Sequence, residues 1–265
     1  MDTLLGVPPV VLVGLLVAAL LAGWVDAVSG GGGLIQLPAL LVGLPDAPPA
    51  TVLGTNKLSS IIGTTAAART YRRAAVTDVR TAVPMAVAAC LGSAVGARVA
   101  THLPGTVFRP LALVLLVVVG LWTLLRPALG EQQDLRWHGG AEHSRHRLTA
   151  IAMGAGIGLY DGAFGPGTGT FLVFGLVALL GYSFLNASAI AKIVNVSTNL
   201  AALIVFASTG HVLWALGLTM GAANLVGGVV GARTAVRQGS RFVRLVFLGV
   251  VAVLLVKLAH DVLAT

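Results

Sequence analysis

The sequence repeats itself at an interval of 135 residues. The pairs of identical residues at this interval include Asp26 and Asp161, Gly30 and Gly165, Lys57 and Lys192, Gly96 and Gly231, and Arg109 and Arg244. No gap is needed between the pair Gly23 and Gly158 and the last of these pairs. A match of this length is an internal repeat, so the two halves of the chain are expected to fold alike.

The chain carries too few charges to cover a water-facing surface. Only 10% of its residues are charged and 57% are hydrophobic, whereas a soluble domain has about 25% charged residues. We therefore predict a multi-pass protein of the cell inner membrane, surrounded by the lipid bilayer. The net charge of +8 does not indicate a nucleic-acid partner, because the arginines lie in short loops between apolar runs and report topology instead.

Five apolar segments are predicted in each half. They cover 8–28, 33–45, 50–68, 76–98 and 106–125 in the first half, and 148–163, 168–182, 186–208, 212–234 and 241–262 in the second. The second segment of each half is too short for a full upright span, which needs about 20 residues. We therefore divide the chain into a first transmembrane repeat over 1–125, a cytoplasmic linker over 126–147 and a second transmembrane repeat over 148–265.

The arginines indicate that the two halves have opposite orientations. The loop after the third segment carries Arg69, Arg72, Arg73 and Arg80 in the first half and none in the second. The loop after the fourth segment carries Arg98 and Arg109 in the first half, and Arg233, Arg237, Arg241 and Arg244 in the second. Because basic loops face the cytoplasm, equivalent loops lie on opposite faces. We predict an all-α polytopic membrane protein of two inverted-topology repeats, each of about five helical segments, with broken or re-entrant short helices at the centre.

Each short second segment follows a glycine-rich break. The breaks are Ser29-Gly30-Gly31-Gly32-Gly33 and Gly165-Pro166-Gly167-Thr168-Gly169. An interrupted chain followed by a new helix presents free N–H groups that attract anions, so we predict that the breaks face each other and bind substrate. The alternative is close helix packing, which glycine also permits. We assign that packing role, inside or between protomers, to Gly92-x-x-x-Gly96 and Gly227-x-x-x-Gly231.

Two matching polar stripes lie in the third segments of the two halves. The first comprises Lys57, Ser60 and Thr64, and the second comprises Lys192, Asn195 and Asn199. Lys57 is about eight residues into its segment, which corresponds to a depth of roughly 12 Å. A cation at that depth indicates a functional site, and cations combined with uncharged donors suit an anion. The alternative is that both lysines extend to the membrane surface.

Asp26 and Asp161 lie just before the glycine breaks. They are candidates for coupling to protons or sodium, or for pairing with the lysines, and the alternative is that they cap the interrupted helices. The linker histidines His138, His143 and His146 have no cysteine or acidic partners at ligand spacing. We therefore predict no metal site and no cofactor.

Four stretches resemble the signatures of the sulfite exporter TauE/SafE family. Residues 30–38 (GGGGLIQLP) and 50–60 (ATVLGTNKLSS) resemble its first-half signature, and residues 161–170 (DGAFGPGTGT) and 187–199 (ASAIAKIVNVSTN) resemble its second. The resemblance covers nearly the full chain apart from the linker. It implies an integral membrane transporter, frequently an exporter, of sulfite, organosulfonates or other small organic anions. By position it implies a site comprising Gly31 to Gly33, Thr55, Asn56, Lys57, Gly165 to Gly169, Lys192 and Asn195.

We therefore expect a secondary transporter of a small oxyanion such as sulfite or an organosulfonate, working by alternating access of the two repeats. The expected substrate-binding residues are Gly31, Gly32, Gly33, Thr55, Asn56, Lys57, Ser60, Thr64, Gly165, Gly167, Thr168, Gly169, Lys192, Asn195 and Asn199. Asp26 and Asp161 are the expected coupling residues. An anion channel or a transporter of a small carboxylate would use the same residues, and the small-residue packing motifs would allow a homodimer. An enzyme would need a nucleophile, cofactor or metal cluster for which the sequence gives no motif.

Overall fold

The computed structural model describes residues 6–74, 78–102, 135 and 141–263. In these residues the chain forms helices and no strands, which confirms the all-helical prediction for the described part. The helices are α1 (Pro9–Ser29), α2 (Gly33–Gly43), α3 (Pro49–Ala74), α4 (Val79–Ala100), α5 (Ala141–Ala163), α6 (Thr168–Ala178), α7 (Phe184–Ser208) and α8 (Trp214–Leu263). Four of them, α1, α4, α7 and the part of α8 up to residue 249, are long and apolar enough to cross a membrane.

The predicted segments correspond to these helices, but several bounds differ, and α3 runs on to Ala74, past its predicted end at 68. The segment predicted over 106–125 lies outside the described residues, as does most of the predicted linker. Helix α5 begins at Ala141, so the last residues of the predicted linker are already helical. A break is present between the segments predicted over 212–234 and 241–262, but it is confined to Gly239, whose φ of 77° lies in the left-handed region, so the helix runs past 234 as far as this residue.

The two short helices follow the predicted glycine breaks. Helices α2 and α6 have 11 residues each, which gives a length of roughly 16 Å, about half the hydrocarbon thickness of a bilayer. Helix α2 turns back along α1, because Gly43 at its end lies against Val11 and Leu15 near the start of α1. The turn is made at Gly30, whose φ of 83° is in the left-handed region and whose N–H donates to the carbonyl of Asp26.

Contacts between the halves occur in reciprocal pairs. Gly92 and Gly96 of α4 lie against the backbone of α5, where a Cβ on either would overlap a carbonyl oxygen. Their repeat mates, Gly227 and Gly231 of α8, lie against the backbone of α1 in the same way. Both small-residue motifs therefore pack helices within one chain, and each joins the first half to the second.

Helix α3 and its repeat mate α7 run in opposite directions. The start of α3 lies at the end of α7, where Gly54 contacts Phe206, whereas the start of α7 lies far along α8, where the N–H of Leu185 donates to the hydroxyl of Ser240. Helices α3 and α8 run in the same direction, since Leu58 packs on Gly217 and Ile62 packs on Gly221. Opposite directions of mate helices are what an inverted repeat requires, and the orientation of each half in a membrane stays a prediction.

Substituting Gly158 tests the close packing of α4 on α5. A Cβ on Gly158 would overlap the backbone of Ala89, whereas Gly156 in the same helix has nothing within 4 Å of that position. We expect Gly158→Ala to lower stability by about 1–3 kcal/mol through overpacking, while Gly156→Ala leaves it unchanged or slightly raised. Thermal unfolding in detergent compares the two, and equal melting temperatures would contradict the packing assignment.

Candidate substrate site

The two glycine breaks cross in direct contact. A Cβ on Gly30 would overlap the backbone of Gly169 and Thr170. The hydroxyl of Thr170 donates a hydrogen bond to the carbonyl of Ser29, at 3.4 Å. The structure thus brings together the two breaks that the repeat pattern predicted to face each other.

Side chains close to the second break hold it in shape. The Tyr160 hydroxyl donates to the carbonyl of Pro166 at 2.6 Å, and the Thr168 hydroxyl donates to the carbonyl of Gly165 at 2.9 Å. These bonds satisfy carbonyls that an interrupted helix would otherwise leave unpaired in an apolar environment. Tyr160 was not among the residues predicted from the sequence. Its position beside Asp161, at the end of an apolar helix, could have indicated a role near the glycine break.

Each predicted lysine forms an ion pair with the aspartate of the other half. Lys57 Nζ lies 2.7 Å from Asp161 Oδ2, and Lys192 Nζ lies 2.9 Å from Asp26 Oδ2. Lys192 also donates to the backbone carbonyl of Asp26. Both lysines are buried, with 1% and 0% of their surface exposed, so the alternative in which they extend to the membrane surface is wrong.

Hydroxyl groups support both carboxylates. Thr64 of the first polar stripe donates to Asp26 Oδ2 at 3.3 Å. The Ser93 hydroxyl has one proton to donate, either to Asp161 Oδ2 at 3.5 Å or to the carbonyl of Thr198 at 2.8 Å. Buried charges need such partners, because an ion pair alone rarely compensates the loss of hydration. Ser93 was missed by sequence reasoning because α4 carried no predicted site residue.

A small cavity lies at the crossing. Its volume, taken as the space open to the centre of a water molecule, is ≈ 20 Å³, which holds about one or two waters. It is lined by Asp26, Gly30, Gly33, Asn56, Lys57, Ser60, Thr64, Asp161, Gly165, Gly167, Thr168, Gly169, Asn195 and Asn199. The first turns of α2 and α6 therefore meet at the cavity. In α2 the N–H groups of Leu34, Ile35 and Gln36 donate to the carbonyls of Gly31 and Gly32. The N–H groups at the cavity without a partner within the helix are therefore those of Gly33 in α2 and of Thr168 and Gly169 in α6.

Four residues of the predicted site do not line this cavity: Gly31, Gly32, Thr55 and Lys192. Gly32 packs against α1, where a Cβ would overlap the carbonyl of Ala22. The Thr55 hydroxyl donates to the carbonyl of Thr51 and accepts from the N–H of Leu213, so it connects α3 to the start of α8. Lys192 lies behind Asp26, which separates it from the cavity.

A buried amide pair joins the cavity wall to α8. Asn224 donates through Nδ2 to Gln36 Oε1 at 2.7 Å, and Gln36 Nε2 is 3.5 Å from the carbonyl oxygen of Asn56. The side-chain oxygen of Asn56 has no hydrogen-bond partner among the described residues. The repeat could not reveal Gln36 or Asn224, because their positions in the other half hold Phe171 and Ala89.

The ionised side chains of the site sum to zero charge. Two lysines and two aspartates are paired one to one, so no positive charge is free to receive an anion in this conformation. A small anion entering the cavity meets Lys57 directly, whereas it reaches Lys192 only if Asp26 moves. A substrate anion can therefore replace the carboxylate of Asp161 as the partner of Lys57. Asp161 then needs another group to balance or remove its charge.

Several curated relatives match almost the whole chain. The chain is 37% identical over 247 residues to a probable membrane transporter protein, ORF9, of Sinorhizobium sp., covering 93% of this chain and 92% of the relative. It is 33% identical over 260 residues to the probable membrane transporter protein YfcA of Escherichia coli strain K12, covering 98% and 94%. A probable membrane transporter protein of Haemophilus influenzae is 33% identical over 223 residues, covering 84% of each chain. No solved structure matches the chain.

The helices and these relatives together define a multi-pass integral membrane protein that acts as a transporter. The sequence model of the sulfite exporter TauE/SafE family matches residues 15–258. The chain belongs to this family, as its two signature regions suggested. Members of the family are membrane transporters and not enzymes.

Proposed function

We propose that the protein exports a small oxyanion, such as sulfite or an organosulfonate, as a secondary transporter. The single observation that carries the proposal is the pair of reciprocal Lys–Asp ion pairs at the crossing of the two glycine breaks. Buried lysines in a membrane protein mark substrate or ion pathways, and two helix N-termini next to them favour an anion. The family description supplies sulfite as the first substrate to test.

Lys57 is the proposed contact for the anion, with backbone N–H groups of α2 and α6 and the amides of Asn56 and Asn195 as hydrogen-bond donors. All of these groups line the cavity or belong to residues that line it. Charged and uncharged donors together match the several oxygens of a sulfite or sulfonate group. The cavity must widen before it admits such an anion, because it now holds about one or two waters.

Proton coupling follows from the charge balance. When an anion binds Lys57, Asp161 loses its ion-pair partner in a buried site. An unpaired buried carboxylate is unfavourable by several kcal/mol, and protonation removes its charge. Among the described residues, Ser93 places a hydroxyl 3.5 Å from Asp161 Oδ2, and no second cation is ion-paired with this carboxylate. We therefore propose that one proton binds Asp161 when an anion binds Lys57.

Alternating access would arise from rocking of one repeat against the other around this site. The two ion pairs join the halves, since each lysine and its aspartate come from different repeats. Breaking and remaking a pair thus changes how strongly the halves are held together. This coupling links substrate binding to the conformational change that a carrier needs.

Uptake into proteoliposomes containing the purified full chain tests the proposed substrate. Radiolabelled sulfite, methanesulfonate and acetate are compared under an imposed pH gradient, a sodium gradient or neither, with protein-free liposomes as the control. We expect saturable flux of sulfite or methanesulfonate that responds to the pH gradient. Flux of acetate alone would make the protein a carboxylate transporter, and flux that neither saturates nor responds to a gradient would make it a channel.

Replacing Asp161 by asparagine tests proton coupling. We expect Asp161→Asn to keep measurable anion exchange but to lose acceleration by the pH gradient, because the amide cannot take up the proton. Asp46→Asn, in the exposed loop between α2 and α3, is the matched control and should respond to the gradient as the wild type does. If Asp161→Asn still responds fully, another group carries the proton.

A further inference from the structure

Four arginines converge on a groove between α3 and α8, away from the substrate site. Arg69 and Arg73 come from the last turns of α3, and Arg233 and Arg237 come from α8. The groove has a volume of ≈ 450 Å³, and its remaining walls are Ala66, Thr70, Val229 and Val236. Among the residues that the structure describes, no carboxylate forms an ion pair with any of the four guanidinium groups.

This concentration of charge is unfavourable unless an anion balances it. Arg69 and Arg73 are four residues apart on one helix, as are Arg233 and Arg237. Like charges at this spacing destabilise a helix, and the two pairs also face each other across the groove. Basic residues that only set membrane topology can spread out in water, so their convergence on one concave surface points to a bound anion.

The groove opens on a different side of α3 from the substrate site. Ala66, Arg69 and Arg73 follow Ile62 along the face of α3 that packs on α8. That face is about half a turn around the helix from Lys57, Ser60 and Thr64. The groove is therefore not the entrance to the substrate cavity, and an anion in it would come from outside the transport path.

The neighbouring surface of α8 is apolar and exposed. Leu225, Val226 and Val230 have between 41% and 50% of their surface exposed, and they lie on the turns that precede Arg233. An apolar helix surface leading into arginines matches the two parts of a phospholipid, whose acyl chains need apolar contacts and whose phosphate needs cations. We propose that the groove binds the phosphate headgroup of an anionic phospholipid, with the acyl chains along this surface of α8.

Native mass spectrometry of the delipidated full chain tests the site without measuring transport. The probes are dioleoylphosphatidylglycerol, dioleoylphosphatidylcholine and inorganic phosphate. The test variant is Arg233→Gln with Arg237→Gln, and the matched control is Arg72→Gln with Arg80→Gln, two exposed arginines that do not line the groove. We expect the wild type and the control to prefer phosphatidylglycerol to phosphatidylcholine. We expect the test variant to bind phosphatidylglycerol roughly 30-fold more weakly, because each basic residue near a lipid surface contributes about fivefold.

Two results would overturn the proposal. Equal weakening in the test and control variants would show that overall surface charge, and not the groove, attracts the lipid. Inorganic phosphate that displaces phosphatidylglycerol at similar concentration would show that a free anion is the occupant. If Arg233→Gln with Arg237→Gln does not fold, Arg69→Gln with Arg73→Gln removes the two arginines on the opposite wall of the groove. The same weakening of phosphatidylglycerol binding is expected for that variant.

Discussion

Replacing Lys57 by methionine is expected to abolish anion transport. Methionine keeps most of the length of the side chain but removes the charge that contacts the anion. It also leaves Asp161 buried without its partner, which lies 2.7 Å away in the native protein. Removing one partner of a buried ion pair is destabilising by about 3–5 kcal/mol. Uptake of radiolabelled sulfite and thermal unfolding in detergent measure the two effects, and wild-type uptake by Lys57→Met would contradict the role of Lys57.

A double variant separates the loss of function from the loss of stability. In Lys57→Met with Asp161→Leu, both charges are gone and no carboxylate is left unpaired. Replacing a whole buried ion pair by apolar side chains is often neutral or stabilising, so we expect the melting temperature to recover most of its loss. Transport should remain absent, because the cation is still missing. Recovery of transport together with stability would mean that Lys57 serves the fold alone.

The second large effect is expected at Gly30. Alanine there must adopt a φ of 83°, and its Cβ must overlap the backbone of Gly169 and Thr170 in the other half. Neither backbone segment can yield without separating the two breaks, so we expect Gly30→Ala to prevent correct folding or to leave a protein without transport. Expression as a monodisperse species in detergent and uptake of sulfite are the measurements.

Gly210 provides the matched control for that experiment. Its φ of 76° is as positive as that of Gly30, but nothing lies within 4 Å of the position of a Cβ. Gly210→Ala therefore reports the backbone strain alone, about 1–2 kcal/mol. The difference in stability between Gly30→Ala and Gly210→Ala then measures the contribution of the contact between the two glycine breaks. Similar stability and transport in both variants would mean that the breaks do not need to touch.

The repeat identified the ionised residues of the site but not their pairing. Sequence identity at the fixed interval picked out Asp26, Asp161, Lys57 and Lys192, and pairing was one of the alternatives considered. Which lysine meets which aspartate depends on the relative directions of helices from different halves. That information lies in tertiary packing, here the antiparallel arrangement of α3 and α7, and no local pattern contains it.

The family resemblance placed Thr55 in the site, but Thr55 does not line the cavity. It is two residues from Lys57, and residues two apart point to different sides of a helix. Its hydroxyl instead accepts from the N–H of Leu213 at 3.0 Å and positions the start of α8. The i, i+3 and i+7 spacing of Ser60 and Thr64 from Lys57 was the better guide, because it follows one helix face to the cavity.

Residues without a repeat mate of similar chemistry were not found from the sequence. Gln36 and Asn224 form a buried hydrogen bond between α2 and α8, but the two are far apart in the chain and match apolar residues in the other half. Tyr160 acts on the second break through its hydroxyl, and its position in the first half is Val25. The repeat therefore predicts what the two halves share, while their differences become visible only in the folded chain.

Equilibrium binding of radiolabelled sulfite to the purified protein tests the central claim most directly. The wild type is compared with Lys57→Met/Asp161→Leu, whose fold is expected to be retained. The account predicts saturable binding at one site per chain in the wild type, competition by methanesulfonate, and no saturable binding in the double variant. Undiminished sulfite binding by a folded double variant would place the anion elsewhere and contradict the assignment of the site to the crossing of the two glycine breaks.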